Sequence, residues 1–302
     1  MCGYAHGDYA ASLSEFGTPR FLPNSGSWIL ERRIPGSVYS DAMGCYPLFA
    51  CQNWSRLRED LDAIGKDLVS LSLVTDPFGE YDAGYLRTCF PDVAVIFKQH
   101  FVTDLSRRQE SFVNSHHRRN ARLALREMSV EKCANPEEFL SDWITLYSTL
   151  ITRHDIKGML AFSPESFARQ FRVPGMVAFR AVKDSQTIGM LLWYQQDDRA
   201  YYHLGAYSPT GYDLRASFAL FSYSIEYFAE QEIEWLSLGA GAGSGSAANS
   251  GLSRFKQGWS TNTRPVYFCG RIMDRRRYQE IINAQNVAAT SYFPAYRRGE
   301  FS

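Results

Sequence analysis

Residues 235–260 read WLSLGAGAGSGSAANSGLSRFKQGWS and join three different patterns. A short apolar strand at 235–238 is followed by a run of Gly, Ala and Ser at 239–251. Small residues after a strand let the backbone approach a ligand closely, because no side chain stands in the way. Lys256 follows this loop. Its ammonium group is a candidate electrophile. A flexible surface loop with a solvated lysine is the alternative interpretation of the same residues.

The composition predicts a folded protein with a substantial core. The chain has 302 residues, of which 45% are hydrophobic and 15% aromatic, enough for one large domain or two small ones. Its 32 basic and 32 acidic side chains cancel, so the net charge does not indicate a nucleic-acid partner. A local basic patch can still bind one, since steering depends on where the charge lies.

The cysteines and the N-terminal sequence indicate the cellular compartment in which we expect the protein. The six cysteines are scattered and contain no C-x-x-C pair, which argues against a zinc framework and a secreted disulfide scaffold. The N-terminus lacks the basic and apolar regions of a signal peptide, and no run approaches the ~18 apolar residues of a membrane span. We therefore expect a cytoplasmic protein with no membrane span and no metal.

The first third of the sequence predicts a small mixed α/β layer. Strand patterns at 28–38 and 46–50 are followed by a helix at 54–64, whose apolar residues recur on one face. Further strands are predicted at 67–75 and 93–102. No motif in this part indicates chemistry of its own.

A basic helical segment follows. Ser106 is the predicted cap of a helical region that extends to Met128 with a break near residues 114–115. Within it, Arg118, Arg122 and Arg126 recur every four residues and would form one stripe. A solvated helix face explains such a stripe, and contact with a polyanion is the alternative.

The remaining pattern predicts an antiparallel meander and a long helix. Helices are predicted to begin at Pro136 and Pro164, the second of them capped by Ser163. The predicted strands and helices that follow are 176–182, 187–195, 200–207, helix 213–230, 234–238, 266–272 and helix 275–287. This order is compatible with the acyltransferase fold of the GNAT superfamily.

Several catalytic motifs are absent from the sequence. The glycine run satisfies neither G-x-x-x-x-G-K-S/T nor G-x-G-x-x-G, and no G-x-S-x-G elbow occurs. His116 and His117 are adjacent, so on a helix they point in different directions and cannot share a metal. Kinases, dehydrogenases, hydrolases and zinc enzymes are therefore not favoured.

At these residues the chain resembles the FemABX-related branch of the GNAT superfamily, best over residues 104–272. The most specific matching block is GLSRFKQG at 251–258, because an L-x-R-F-K-x-G after a glycine-rich strand end is hard to obtain by chance. Weaker matches are DLS at 104–106, the basic segment 115–124, TRHD at 152–155, YYHLGA at 201–206 and LGAG at 238–241.

The resemblance implies a fold and two lobes. The expected fold class is α/β (α+β), with tandem GNAT-like lobes built on a mixed, mostly antiparallel sheet flanked by helices. Residues 1–105 would form a short, degenerate N-terminal lobe and residues 106–302 the acyltransferase lobe. Two features of cell-wall members have no clear counterpart: the helical-hairpin arm, and an arginine and a tyrosine expected after Asp155. Peptidoglycan precursor is therefore doubtful as the acceptor.

The resemblance also implies site residues. Lys256 falls on the lysine of the F-K pair, and we assign it to stabilise the tetrahedral oxyanion of acyl transfer. Tyr202, His203 and Asp155 are candidates for positioning or deprotonating the amine; alternatively, Tyr202 and His203 are hydrogen-bonded strand residues. Candidate substrate-binding residues are Arg153, Tyr207, Gly239, Gly241, Arg254 and Phe255.

The predicted reaction depends on which donor molecule carries the transferred acyl group. Acetyl-CoA enzymes of the superfamily wrap the pyrophosphate with a Q/R-x-x-G-x-G/A loop, but residues 207–216 read YSPTGYDLRA and carry Asp213 near the phosphates. We therefore predict an aminoacyl-tRNA-dependent N-acyltransferase that acts on a small amine, in specialised metabolism or envelope modification, without a tightly bound cofactor. The alternatives are an acyl-CoA-dependent N-acyltransferase and a non-catalytic RNA-binding descendant. Candidate RNA-binding residues are Arg118, Arg119, Arg122, Arg126, Arg275 and Arg276.

Overall fold

The computed structural model describes residues 1–241 and 251–300 and divides the chain into two compact units. The central unit consists of residues 1–3 and 99–264, and the terminal unit consists of residues 4–98 and 265–302. Each unit is described by itself below.

The described residues form eleven strands and eleven α-helices. The strands are β1 (Thr18–Leu22), β2 (Ser27–Arg33), β3 (Ser40–Gly44), β4 (Ser70–Val74), β5 (Val93–Asp104), β6 (Ser129–Lys132), β7 (Met176–Lys183), β8 (Gln186–Gln196), β9 (Arg199–Tyr207), β10 (Trp235–Gly239) and β11 (Asn262–Ile272). The helices are α1 (Gly7–Ser12), α2 (Leu57–Ile64), α3 (Ala83–Cys89), α4 (Gln109–Phe112), α5 (Ser115–Ala124), α6 (Leu140–His154), α7 (Pro164–Gln170), α8 (Pro209–Asp213), α9 (Ala216–Glu230), α10 (Gly251–Gln257) and α11 (Arg275–Ala284). None of these helices combines the length and the apolar character that crossing a bilayer requires.

The sheet of the central unit has the strand order β5-β10-β9-β8-β7-β6. Strands β7, β8 and β9 form the predicted antiparallel meander, which the register confirms. Its tight turns use Asp184, Ser185 and Asp197 at positive φ, a conformation that Asp tolerates better than most residues. Strand β10 runs parallel to β9 and antiparallel to β5.

Helix α9 covers the meander with small and aromatic side chains. Ala216 and Ala219 are fully buried and let the helix lie close to the sheet, where Phe228 packs its ring 5.2 Å from that of Trp193. The sequence predicts one helix over 213–230, and this is wrong at its start. Arg215 adopts φ 60 and separates α8 from α9.

The terminal unit has the strand order β1-β2-β3-β4-β11, with β3 and β4 parallel. Its core gathers Ile29, Phe49, Trp54, Leu61 and Leu71, so the apolar face predicted for the helix at 54–64 is confirmed. The strand predicted at 46–50 is wrong, because this segment makes only an isolated bridge through Phe49.

The end of the chain returns to this terminal unit. Residues 268–272 of β11 pair with β4, and Arg297 donates two hydrogen bonds, of 2.8 and 2.9 Å, to the fully buried carboxylate of Asp41. Such a charge-assisted pair offsets the cost of burying the carboxylate. The predicted lobe boundary after residue 105 stays a prediction, and residues 265–302 belong to the terminal unit together with residues 4–98.

Gly211 in α8 offers a test of this packing. An added Cβ would lie 2.0 Å from the main-chain oxygen of Ile188 in β8, which is backbone and cannot rotate away. We expect Gly211→Ala to lower the free energy of unfolding by about 1–3 kcal/mol through overpacking. The measurement is urea denaturation. Gly65→Ala is the control, since its new methyl group would meet its nearest neighbour at 3.4 Å. Equal stability of both variants would contradict the packing described.

Candidate functional site

The sheet of the central unit opens between β9 and β10. These parallel strands pair over only three residue pairs, from Trp235↔Arg199 to Ser237↔Tyr201, whereas β9 continues to Tyr207. The register of β10 against β5 shifts between Ser237 and Gly239, and Gly239 adopts φ +72. A side chain is strained at this angle, so glycine permits β10 to leave the sheet here.

Lys256 reaches into this opening. Its residue is 6% exposed, its Nζ donates a 2.7 Å hydrogen bond to the carbonyl oxygen of Ala240, and Nζ lies 5.4 Å from the centroid of the Tyr202 ring. The ammonium is therefore placed between the end of β10 and the face of an aromatic ring on β9. A Cβ at Gly239 would come within 3.2 Å of Nζ, so glycine also leaves the ammonium its space.

Helix α10 carries this lysine. Helix α10 begins at Gly251 and places Lys256 and Ser253 on its buried side. Arg254, a predicted substrate-binding residue, lies on the exposed side. Of the predicted glycine run, residues 242–250 lie outside the described residues, and Gly241 is the last one described before them.

Phe255 and His117 hold α10 in place. The ring of Phe255 packs 5.0 Å from the rings of both Phe218 and Phe221, and its carbonyl oxygen lies 2.9 Å from His117 Nε2. The other ring nitrogen of His117 lies 2.8 Å from Asn114 Oδ1, and burial lowers the pKa of His117. The sequence identified Phe255 as substrate-binding, a role that stays a prediction. It did not identify His117 as a positioning residue, because its partners come from distant segments.

Two tyrosines of β9 converge near the lysine. A Cβ on Gly205 would lie 2.6 Å from the hydroxyl of Tyr202 and 3.1 Å from that of Tyr207, so both hydroxyls gather over this glycine. Burial raises the pKa of both phenols, which therefore keep their protons at neutral pH. Tyr202 can donate a proton or a hydrogen bond, but it is not equipped to deprotonate an amine.

His203 faces a different neighbour. It is buried, its Nε2 lies 2.9 Å from Gln170 Oε1 on α7, and burial lowers its pKa to about 3. A pKa this far below neutrality makes a weak base at pH 7. The arrangement supports the alternative stated above, a hydrogen-bonded strand residue, and the catalytic role of His203 stays a prediction.

Asp155 and Arg153 lie at the end of α6. Asp155 ends the helix in the left-handed conformation, and its carboxylate, 79% exposed, forms a 2.7 Å ion pair with Lys157. No described contact brings Asp155 to Lys256. The Arg153 guanidinium instead lies 4.1 Å from the centroid of the Tyr212 ring, which in turn lies 5.4 Å from the ring of Tyr207.

The predicted basic stripe is wrong as one continuous helix face. Helix α4 begins after Arg108, not after Ser106. Helix α5 begins after Asn114, at the predicted break, and ends at Ala124, so Arg126 lies beyond it. Arg118 donates to the carbonyl oxygens of Glu110 and Val113, which fixes its guanidinium to the backbone. The exposed arginines of α5 are Arg119 and Arg122.

The second basic group lies on the terminal unit. Arg275 pairs with Asp92 at 2.8 Å and Arg276 with Glu280 at 3.0 Å, and both arginines are more than 70% exposed. Exposed pairs of this kind are weak, so they leave the arginines accessible to a stronger anion. RNA binding by either group stays a prediction.

The described residues contain no group of three or more His, Cys, Asp or Glu side chains arranged to hold a metal ion. The chemistry that the opening supports is that of one buried ammonium, two protonated phenols and the backbone carbonyl of Ala240.

Comparison with known proteins identifies the fold. Residues 111–257 match the model of the acetyltransferase (GNAT) domain. No curated protein sequence is similar enough to count as a match. The match confirms the predicted enzyme class, an acyltransferase, and it covers Lys256, Tyr202 and Arg153.

Solved structures are similar over nearly the whole chain. FemX superposes with a TM-score of 0.66 at 13% identity, over 91% of this chain and 93% of that chain. L-PGS from Bacillus licheniformis superposes with a TM-score of 0.60 at 14% identity, over 96% of this chain and 99% of that chain. The C-terminal domain of a proposed lysylphosphatidylglycerol synthetase from Agrobacterium fabrum superposes with a TM-score of 0.60 at 13% identity, over 92% of this chain and 91% of that chain. The predicted fold class is confirmed, and the resemblance to the FemABX-related branch is confirmed at the level of the fold.

The buried imidazole of His203 predicts a pH dependence of stability. Its pKa in the folded protein, about 3, lies below the unfolded value near 6.5, so the unfolded chain binds this proton first. The contribution of His203 to the free energy of unfolding is therefore fully present above pH 6.5. It falls by up to about 1.4 kcal/mol per pH unit as the pH drops toward 3. His203→Gln, neutral throughout, should flatten this part of the profile. Urea unfolding at several pH values measures it, with exposed His154→Gln as the control. A slope that is the same in both variants would contradict the assignment.

Proposed function

Because residues 111–257 carry an acetyltransferase (GNAT) domain, we propose that this chain transfers an aminoacyl group from aminoacyl-tRNA to the amine of a small molecule. The observation that carries the proposal is the buried Lys256 ammonium at the opening between β9 and β10. A fixed cation in a partly dry cleft stabilises developing negative charge without first having to reorganise.

The proposed reaction has two steps beside Lys256. The neutral amine attacks the ester carbonyl, a C–N bond forms, and negative charge develops on the carbonyl oxygen. Lys256 donates a hydrogen bond to this oxyanion while the carbonyl of Ala240 holds Nζ in position. The C–O ester bond then breaks, the amine loses a proton, and the departing ribose hydroxyl gains one. Tyr202 is a candidate to deliver that proton and to recover the one that the amine loses, since its phenol is protonated and its ring lies against the lysine.

The backbone before α9 supports tRNA over coenzyme A as the donor carrier. In CoA-dependent relatives this segment would offer main-chain N–H groups to a pyrophosphate. Here the N–H of Gly211 donates to the side-chain oxygen of Ser208. The N–H groups of Tyr212 and Leu214 donate to the main-chain carbonyl oxygens of Ser208 and Thr210, respectively. The segment is folded as α8 and uses these donors internally, so a pyrophosphate would have to displace existing hydrogen bonds.

Two further facts bear on the choice between aminoacyl-tRNA and acyl-CoA as the donor. The FemABX-related branch that the sequence resembles uses aminoacyl-tRNA in many members, and FemX has a similar fold. The domain match names an acetyltransferase, which favours acyl-CoA as the second candidate donor. A non-catalytic RNA-binding descendant is the third candidate, and transfer by the wild type in the assay below separates both enzymes from it.

Single-turnover transfer tests the central role of Lys256. We expect Lys256→Met to slow amide formation from charged tRNA by about 10²–10³, since removing one oxyanion donor costs about 2.7–4 kcal/mol. Lys66→Met, at an exposed position of the terminal unit, is the matched control and should react at the wild-type rate. Rates are measured by rapid quench, with primary amines as acceptors.

Two added arms identify the donor. Pretreatment with RNase should abolish transfer from charged tRNA, and a matched acyl-CoA thioester should give none. Undiminished transfer from the thioester after RNase treatment would refute the tRNA donor. A wild-type rate in Lys256→Met would refute the catalytic assignment of Lys256. A wild type that binds tRNA but transfers nothing from either donor would favour the RNA-binding descendant.

The exposed arginines of α5 predict a salt dependence. If Arg119 and Arg122 each neutralise one phosphate, the double change to Ala should reduce the slope of log affinity against log salt by about 2. Filter binding of uncharged tRNA at several salt concentrations measures the slope. Arg58→Ala on the terminal unit is the control, because its guanidinium is exposed and belongs to another helix. An unchanged slope in the double variant would contradict RNA contact through α5.

A further inference from the structure

Helix α6 ends in an arginine that lies on an aromatic platform. Arg153 Cζ is 4.1 Å from the centroid of the Tyr212 ring, within the range of cation–π stacking. The next carboxylate along the chain, Asp155, pairs with Lys157 instead. None of the described carboxylates forms an ion pair with Arg153. A guanidinium stacked in this way keeps its N–H edge available for a planar oxyanion.

A shallow pocket, open to solvent, lies beside this guanidinium. It is lined by Ser148, Thr149, Thr152 and Arg153, all from the last turns of α6. The three hydroxyls donate to main-chain carbonyls one turn earlier, so their protons are already used. Arg153 is thus the lining residue that supplies N–H donors, and a single cation suits one carboxylate or phosphate group. An RNA backbone would call for a row of cations.

A series of tyrosines connects this pocket with the lysine. We call Tyr202, Tyr207 and Tyr212 the tyrosine path. The Tyr212 ring lies 5.4 Å from that of Tyr207, the hydroxyls of Tyr207 and Tyr202 gather over Gly205, and Tyr202 faces Lys256 Nζ at 5.4 Å. All of these residues belong to the central unit. The path offers uncharged phenols between two cations, one at each end.

We propose that Arg153, on its Tyr212 platform, binds a carboxylate or phosphate group of the acceptor, whose amine lies at the Lys256 end of the tyrosine path. This inference rests on the proposed function and specifies its substrate class: a small amine that also carries an oxyanion. A guanidinium at one end and an ammonium at the other would orient such a molecule, so that its amine, not its anion, meets the donor carbonyl.

Binding in the absence of any donor tests the inference separately from turnover. The probes are β-alanine, which carries a carboxylate, O-phosphoethanolamine, which carries a phosphate, and ethanolamine, which carries neither. Calorimetry on the full chain should show that at least one oxyanion probe binds more tightly than ethanolamine, and the better of the two names the group. Arg153→Ala should weaken that probe by about tenfold to hundredfold and leave ethanolamine unchanged.

Four further variants complete the design. Arg153→Lys keeps the charge without the planar fork and should recover only part of the affinity. Tyr212→Phe keeps the platform and should bind like wild type, whereas Tyr212→Ala should weaken the oxyanion probe. Arg107→Ala, an exposed arginine before α4, is the matched control and should have no effect.

Several results would overturn the inference. These are no measurable probe binding by the wild type, or equal probe affinity in wild type and Arg153→Ala. A loss of thermal stability alone in Arg153→Ala would assign the arginine to the dipole of α6. Weaker tRNA binding with unchanged probe binding would assign it to RNA. A wild type that binds the oxyanion probe but transfers no acyl group refutes the proposed function and leaves the anion site standing.

Discussion

The site depends on one buried ammonium group and the carbonyl that holds it. An isolated charge is costly to bury, so Lys256 requires partners that stay with it. The Ala240 oxygen is one such partner, and it is presented only because Gly239 allows β10 to leave the sheet at φ +72. The strand opening and the lysine are thus parts of one arrangement, in which the break in pairing creates both the space and the acceptor.

Aromatic packing keeps this arrangement rigid. Phe255, next to the lysine, packs among Phe218, Phe221 and Trp259, and His117 fixes its carbonyl from α5. Helices α5, α9 and α10 therefore position Nζ without touching a substrate themselves. The tyrosines of β9 form the other wall and remain uncharged because burial raises the pKa of Tyr202 and Tyr207. A preorganised cation beside neutral donors suits acyl transfer better than proton abstraction.

Local patterns predicted what local physics determines. The meander follows from alternating apolar runs with Asp-rich turns, and Lys256 was identified from GLSRFKQG. The break at Arg215 and the end of α5 at Ala124 were missed, because tertiary packing overrides helical periodicity there. The partners of His117, the ion pair of Asp155 with Lys157 and the platform under Arg153 depend on side-chain placement, for which periodicity holds no information.

The proposed reaction requires the donor carbonyl to lie beside Lys256 in the opening between β9 and β10. Photo-crosslinking with a tRNA that carries a benzophenone on its aminoacyl group, followed by mass spectrometry, locates that group directly. We expect crosslinks to the tyrosines of β9 and to α10 around Lys256, which an excess of normally charged tRNA suppresses. Crosslinks confined to the terminal unit, or unaffected by competition, would contradict it.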